Sequence, residues 1–227
     1  TIASPREALS VNAAASLAVM VRPVDGAAER TEILIDKRRN AVVLGPGGGV
    51  GEGMRGQVQV ERASEVAVVV DADALNRLEA NAGDEGSAIA KRSARTTVLT
   101  PHDREFARLF NVIDSNSNVN SKLEKARAAA RFSGAIVLLK GADTVVADPS
   151  GRASIAENAP VYLATAGAGD VLAGMIAGLL AQGMPGFEAA SAAVWLHGEA
   201  AREFGLGLIA EDLSEALPAV YRRSFAL

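Results

Sequence analysis

The chain has 227 residues, 49% of them hydrophobic but only 4% aromatic, and no cysteine. A core of that composition is built from Ala, Val, Ile and Leu, which favours an α/β domain over an all-β sandwich. The absence of cysteine excludes disulfides, thiolate catalysis and cysteine-bound zinc, and with His102 and His197 as the two histidines a histidine-rich metal site is excluded as well. Net charge is −4 with both signs dispersed, so the charge pattern speaks against nucleic acid and anionic membrane as partners.

Ser4 and Pro5 form an N-cap followed by proline at the first helical position, and predict a helix through about Ala15. Leu17 to Val24 and Ala41 to Leu44 are apolar enough for strands, and the second runs into a glycine-rich loop from Gly45 to Gly53. A helical stretch from Met54 to Ser64 follows, then Val66 to Val70, whose valines suit a strand buried on both faces. Two helical patterns flank Asn81 to Gly83, and Thr96 to Leu99 is a further buried strand. His102 to Phe110 and Leu123 to Phe132 are helical, and the polar stretch Asn111 to Ser121 between them is expected to be a solvated loop. Ile136 to Leu139 and Thr144 to Ala147 are strands, with a turn at Asp148 to Gly151. Asp170 to Gln182, Phe187 to Phe204 and Leu213 to Arg222 are helices. This alternation predicts a single domain over residues 1–227 with a largely parallel sheet between helical layers. The longest apolar run, Val171 to Ala181, is too short to span a bilayer, and a cytoplasmic protein is expected.

Ligands of open parallel sheets bind where the strands end, and four loops there carry chemistry. The Gly45 loop contains a G-x-G-x-x-G at Gly51, Gly53 and Gly56, with Asp71 ending the next strand. The match begins well past the strand, however, so a loop that lets a ligand approach its backbone is favoured over a Rossmann site, and a plain structural turn remains open. Asp71, Asp73 and Asn76 could hold a magnesium-bound phosphate through water, while Asp73 is equally read as a helix cap. Thr100 to Glu105 places His102 beside an acid at a strand-to-helix turn, suited to touching a ligand.

The fourth loop, T-A-G-A-G-D from Thr165 to Asp170, opens a helix. Small residues there leave backbone N–H groups bare for a phosphate, and Asp170 stands close enough to take a proton from a hydroxyl attacking it. A capping role would explain Asp170 but not Gly167, Ala168 and Gly169 before it. Gly174 and Gly178, four apart in the same helix, predict close packing. Between two strands, Lys140 to Thr144 offers a lysine and free amides to nucleotide phosphates or ribose; no P-loop motif occurs. His197, in register with Val194 and Ala201, is expected to be a satisfied buried or interface histidine.

Five strings in order carry a family resemblance: V-L-G-P-G-G-G from Val43, V-V-D-A-D-A-L-N from Val69, L-T-P-H-D-R-E-F from Leu99, V-L-L-K-G-A-D-T from Val137 and L-A-T-A-G-A-G-D-V-L-A-G from Leu163. Together they resemble the ADP- or ATP-dependent NAD(P)H-hydrate dehydratases of the ribokinase-like superfamily. The resemblance implies a three-layer α/β/α domain with a mostly parallel central sheet, commonly a homotetramer. It also implies a repair reaction, in which hydrated NADH or NADPH is returned to the intact cofactor at the expense of ADP or ATP with Mg2+. Carried over by motif position, Lys140, Gly141, Ala142, Asp143, Thr144, Gly167, Ala168 and Gly169 would hold the nucleotide. Gly47 or Gly49, His102 and Asp170 would contact the hydrated dinucleotide, with Asp170 as the catalytic base and no metal ligand assigned.

The chain departs from the family pattern at Thr1, which resembles the strand after a first βα unit that carries a G-G-S-like loop. A longer chain, with a fused epimerase, is one expectation from that departure. Two rival functions stay open: a ribokinase-like kinase acting on a small vitamin precursor, and a catalytically silent nucleotide-binding module.

Overall fold

In the computed structural model the residues described are 1–49, 66–79, 96–115, 119 and 121–225. The expected helix at Met54 to Ser64, the Gly51 to Gly56 match and the break at Asn81 to Gly83 lie outside them. At the N-terminal side, β1 (Ile2–Ser4) and β2 (Val21–Pro23) pair in parallel as a small sheet of their own. Ser4 does not cap a helix: it sits buried at the end of β1, where its hydroxyl donates to the Pro5 carbonyl and accepts from Asn12 Nδ2. The helix therefore starts later, as α1 (Leu9–Ala15) after a 3-10 turn at Arg6–Ala8. α2 (Ala27–Ile35), which the sequence reading did not single out, follows β2.

The main sheet has the order β3 (Ala41–Leu44), β4 (Ala67–Val70), β5 (Thr97–Leu99), β6 (Ile136–Leu139), β7 (Thr144–Ala147) and β8 (Ala153–Ala156). The first four run parallel, β7 runs antiparallel to β6, and β8 turns back to pair antiparallel with β7. Parallel neighbours require a crossover, whereas a tight turn joins only antiparallel strands. The direction accordingly reverses at the short Lys140 to Asp143 connection. β8 is the hairpin partner of β7 across the expected Asp148 to Gly151 turn; its own sequence, A-S-I-A, carries too little hydrophobic signal to announce a strand.

Side-chain alternation sorts the strand residues between two helical layers. Val68, Val70, Leu99, Val137 and Leu139 share one cluster with Leu75 of α3 (Ala72–Glu79), Phe106 of α4 (Asp103–Leu109), and Ala126 and Ala130 of α6 (Lys122–Ser133). Val69, Val98, Leu138 and Val146 join the other, with Leu172 and Ile176 of α7 (Ala168–Ala181) and Ala189 and Ala193 of α8 (Gly186–Phe204). Each fully buried Val, Leu or Ile contributes about 1.5–3 kcal/mol of hydrophobic stabilisation, so the two clusters account for the layered form. α9 (Asp212–Phe225) packs outside α8 through Leu213 and Val220.

The polar stretch before α6 is not wholly loop. Asn111–Asp114 forms a short helix, α5, and Ser121 caps α6 in a reciprocal box with Glu124. Gly174 and Gly178 do not mediate close packing either: both are exposed, and a β-carbon on either would meet nothing within 4 Å. The close approach occurs at Gly186 instead, where a β-carbon would lie 2.5 Å from Ile136 Cδ1 and 2.6 Å from Thr96 Cγ2.

Candidate active site

The loops after β3, β4, β5 and β6 converge with the N-terminus of α7. The chain leaves β3 at Gly45 with φ of 119°, so close to β4 that a β-carbon would sit 1.7 Å from the Asp71 carbonyl oxygen. Only glycine combines that backbone angle with that approach. Gly47 and Gly49 also take positive φ, 64° and 69°, and the Gly49 N–H donates to Asp73 Oδ2 at 2.9 Å. Asp73 stands within the first turn of α3, past its cap position, and clasps the glycine loop.

The β4 end bends sharply, with Ala72 at φ 46°. That turn buries the Asp71 side chain to 1% exposure and sets its Oδ1 2.7 Å from Lys140 Nζ. Asp71 and Asp73 are therefore both engaged within the protein. Among the described residues no group of three or more acidic or histidine side chains is placed to hold a metal ion.

His102 is the N-cap of α4. Its Nδ1 accepts from the N–H groups of Arg104 (3.0 Å) and Glu105 (3.2 Å), and Glu105 Oε2 accepts from the His102 N–H at 2.8 Å. Because Nδ1 accepts, the neutral ring carries its proton on Nε2. Half of the His102 side chain stays exposed, whereas Glu105 is buried. The histidine therefore caps the helix with one ring nitrogen and keeps half of its side chain exposed.

Lys140 ends β6 with its N–H donating to the Pro101 carbonyl at 2.9 Å, and Thr144 Oγ1 closes the turn by donating to the Gly141 carbonyl at 3.1 Å. Asp143 points away from this turn's inner side, toward Lys122 Nζ at 3.1 Å; that hydrogen bond holds its carboxyl below the usual carboxylate range. At α7, Gly167 is the N-cap with φ of 83°, and no side chain caps the helix. The first-turn N–H groups and the helix dipole are thus presented together, as anion sites require.

A cavity of about 750 Å³ opens between these elements, in the size range of small-ligand sites. His102, Lys140, Gly141, Ala142, Thr144, Ala168 and Gly169 all line it. Asp143, Gly167, Asp170, Gly47 and Gly49 do not. The apolar wall comes from Pro160, Val161, Leu163, Leu172 and Val194, none of which the sequence marked as site residues. Ordinary apolar side chains give no local signal of lining a cavity.

Asp170 stands in the first turn of α7, exposed, yet its carboxyl is pushed up. Partial burial of the carboxyl is the largest cause; the Asp71 charge adds to it, Lys140 opposes it, and Asp73 adds again. A carboxylate with a raised pKa is a better proton acceptor than an ordinary surface aspartate. His197 departs from expectation. It is buried, but its Nε2 has no partner among the described residues, and the residue lines the cavity. Burial pulls its pKa down to about 4, against a backbone hydrogen bond with Ala168 that acts upward, so the ring is neutral at physiological pH.

A mostly parallel sheet with flanking helices and an uncapped helix terminus with an acid beside it define an α/β protein, whose fold is shared with a ribokinase-like superfamily protein of Enterococcus faecalis at a TM-score of 0.74 and 21% identity, covering 96% of this chain and 75% of that one. The comparisons narrow this. A family model described as NAD(P)H-hydrate dehydratase matches residues 1–219, and the chain belongs to that family. The ADP-dependent (S)-NAD(P)H-hydrate dehydratase of Neisseria meningitidis serogroup B is 38% identical over 206 residues, covering 87% of this chain and 66% of that protein. A bifunctional NAD(P)H-hydrate repair enzyme of Salinibacter ruber is 36% identical over 192 residues, covering 82% of this chain and 34% of its own length. The ADP/ATP-dependent NAD(P)H-hydrate dehydratase of Bacillus subtilis, co-crystallised with ATP/Mg2+ and soaked with CoA, superposes with a TM-score of 0.76 at 26% identity. That match covers 96% of this chain and 78% of the Bacillus chain. The chain thus spans just under two thirds of the first relative's length and about one third of the second's.

Proposed function

We propose that the protein dehydrates hydrated NADH or NADPH to the intact cofactor at the expense of ADP or ATP. The observation that carries this reading is the position of Asp170. It stands in the first turn of α7, whose N-terminus no side chain caps, with its carboxyl pushed up by burial and near enough to Asp71, Lys140 and Asp73 for their charges to act on it. The nucleotide phosphates would lie against the Gly169 backbone and Lys140, with Gly141, Ala142 and Thr144 beside them. The hydrated nicotinamide would approach from Gly47, Gly49 and His102.

In this reading Asp170 takes the proton of the ring hydroxyl as its oxygen attacks the terminal phosphorus, and the bond from that phosphorus to the bridging oxygen breaks, releasing AMP from ADP or ADP from ATP. Helix N–H groups and Lys140 stabilise the charge that develops on the transferred phosphoryl group. The ring nitrogen's lone pair then expels phosphate, and loss of a proton from the neighbouring ring carbon restores the double bond. Magnesium, brought in with the nucleotide, would supply further neutralisation of phosphate charge.

A fused or separate epimerase would supply the reactive epimer of the hydrate, a reading supported by the bifunctional relative. Self-association is supported by the exposed Val11, Leu17, Met20 and Ile35 near the N-terminal sheet.

The test is turnover of hydrated NADH with ADP, followed by the return of NADH absorbance and by AMP and phosphate release. Replacing Asp170 by Asn should lower kcat by about 10²–10⁴-fold while ADP binding persists. Near-wild-type turnover in Asp170→Asn would remove the base from the mechanism. Phosphoryl transfer to a vitamin-like alcohol in place of dehydration would favour the kinase reading, which shares the same helix terminus.

A further inference from the structure

The Lys140 ammonium faces two buried carboxylates, Asp71 at 2.7 Å and Glu105 at 4.0 Å, with 1% and 8% of their side chains exposed. Glu105 is already committed: its Oε2 accepts from the His102 N–H at 2.8 Å, and its Oε1 lies 3.6 Å from His102 Nε2. Asp71 Oδ1 is therefore the oxygen that fixes the lysine. The pair sits directly beneath the phosphate-binding turn, since a β-carbon on Gly169 would lie 3.5 Å from Lys140 Nζ and 4.0 Å from Asp71 Oδ2.

The geometry points to Asp71 as a positioning residue of the nucleotide site, a buried carboxylate that holds the Lys140 ammonium against the Gly169 backbone where a nucleotide phosphate arrives. A lysine has four rotatable carbons and a single point charge, so its value to an anion depends on where it is held. Asp71 itself is well anchored: its N–H donates to the Leu44 carbonyl, and its own carbonyl accepts from the Ala74 N–H. The same buried charge acts on Asp170. Asp71 and Asp73, from the β4 end and α3, raise the Asp170 carboxyl, while Lys140, from the β6 end, lowers it. The ion pair thus links phosphate binding to the basicity of Asp170. This inference rests on the nucleotide reading of the site given above.

A mutant cycle of Asp71→Asn, Lys140→Met and the double variant tests it, with ADP affinity measured by calorimetry. Asp71→Asn should weaken ADP binding by about tenfold or more, as expected for a displaced charge-assisted contact. The double variant should bind ADP no more weakly than Lys140→Met, because Asp71 acts through the lysine. The acidic limb of the turnover profile should also move to lower pH in Asp71→Asn, a change that a purely structural role would not produce. If Asp71→Asn does not fold, the comparison of Lys140→Met with the double variant still decides, since in the double Asp71 no longer leaves a buried charge without its lysine. A further tenfold loss in the double variant, or unchanged ADP affinity in Asp71→Asn, overturns the inference while leaving the function in place. A wild-type protein that binds no ADP overturns the proposed function and this inference with it.

Discussion

At the cavity end of the site, walls come from the hairpin between β6 and β7 and from α7 and α8. The polar groups there are helix N–H groups and Lys140, held by elements whose own positions the core fixes. At the opposite end, among the described residues of the glycine loop after β3, one steric and one polar constraint act, the Gly45 approach to Asp71 and the Asp73 clasp on Gly49. One end is positioned by hydrophobic layers, the other by a missing side chain and one charged hydrogen bond. The difference teaches where each end is vulnerable: the packed end to a buried charge, the loop end to single polar or steric changes.

Gly45→Ala strikes the loop end hardest. A β-carbon 1.7 Å from the Asp71 oxygen, on a backbone at φ 119°, must push β3 from β4. A loss of about 3 kcal/mol or more is expected from strain and overpacking, read as a lowered denaturation midpoint. A midpoint within experimental error of wild type would show that the loop end is not sterically fixed.

The packed end should show its weakness in acid. His197 has its pKa pulled from 6.5 down to about 4 in the folded state by burial. As pH falls, the unfolded chain takes up the proton first, so stability is complete above about pH 6.5 and declines toward pH 4. The decline amounts to about 3 kcal/mol over that window, and no more is lost through this group below it. His197→Gln should flatten the dependence of folding free energy on pH across the window. An unchanged slope would mean that other groups dominate it.

Asp73→Asn is the mildest of the three. It keeps the shape of the side chain and removes the charge that clasps Gly49, at a cost of about 1–2 kcal/mol. KM for the hydrated dinucleotide should rise severalfold while ADP affinity changes little. An equal loss at both substrates would erase the contrast between the two ends.

Much of the fold was legible because its signals are local. Val68 to Val70, Val98 with Leu99, and Val137 to Leu139 announce buried parallel strands, and the small residues before Asp170 announce an open helix terminus. β8 and α2 escaped because neither has a strong period or a distinctive cap of its own. Ser4 misled because a serine before a proline also suits the end of a strand, and only the pairing with Pro23 decides between the two. Gly174 and Gly178 misled because a small-residue spacing permits close packing without requiring it.

The sequence by itself determined the layered α/β class, the open helix terminus before Asp170 and the strand ends after which Lys140 and His102 stand. Backbone chemistry and hydrophobic alternation act over a few residues, and a single chain displays them directly. Tertiary structure alone decided the partners: Asp71 for Lys140 across 69 residues, Asp73 for Gly49, and an apolar wall for the cavity. Such pairings depend on which strand ends become neighbours. Coulomb and packing energies act through distances in space, and the order of residues along the chain does not state those distances.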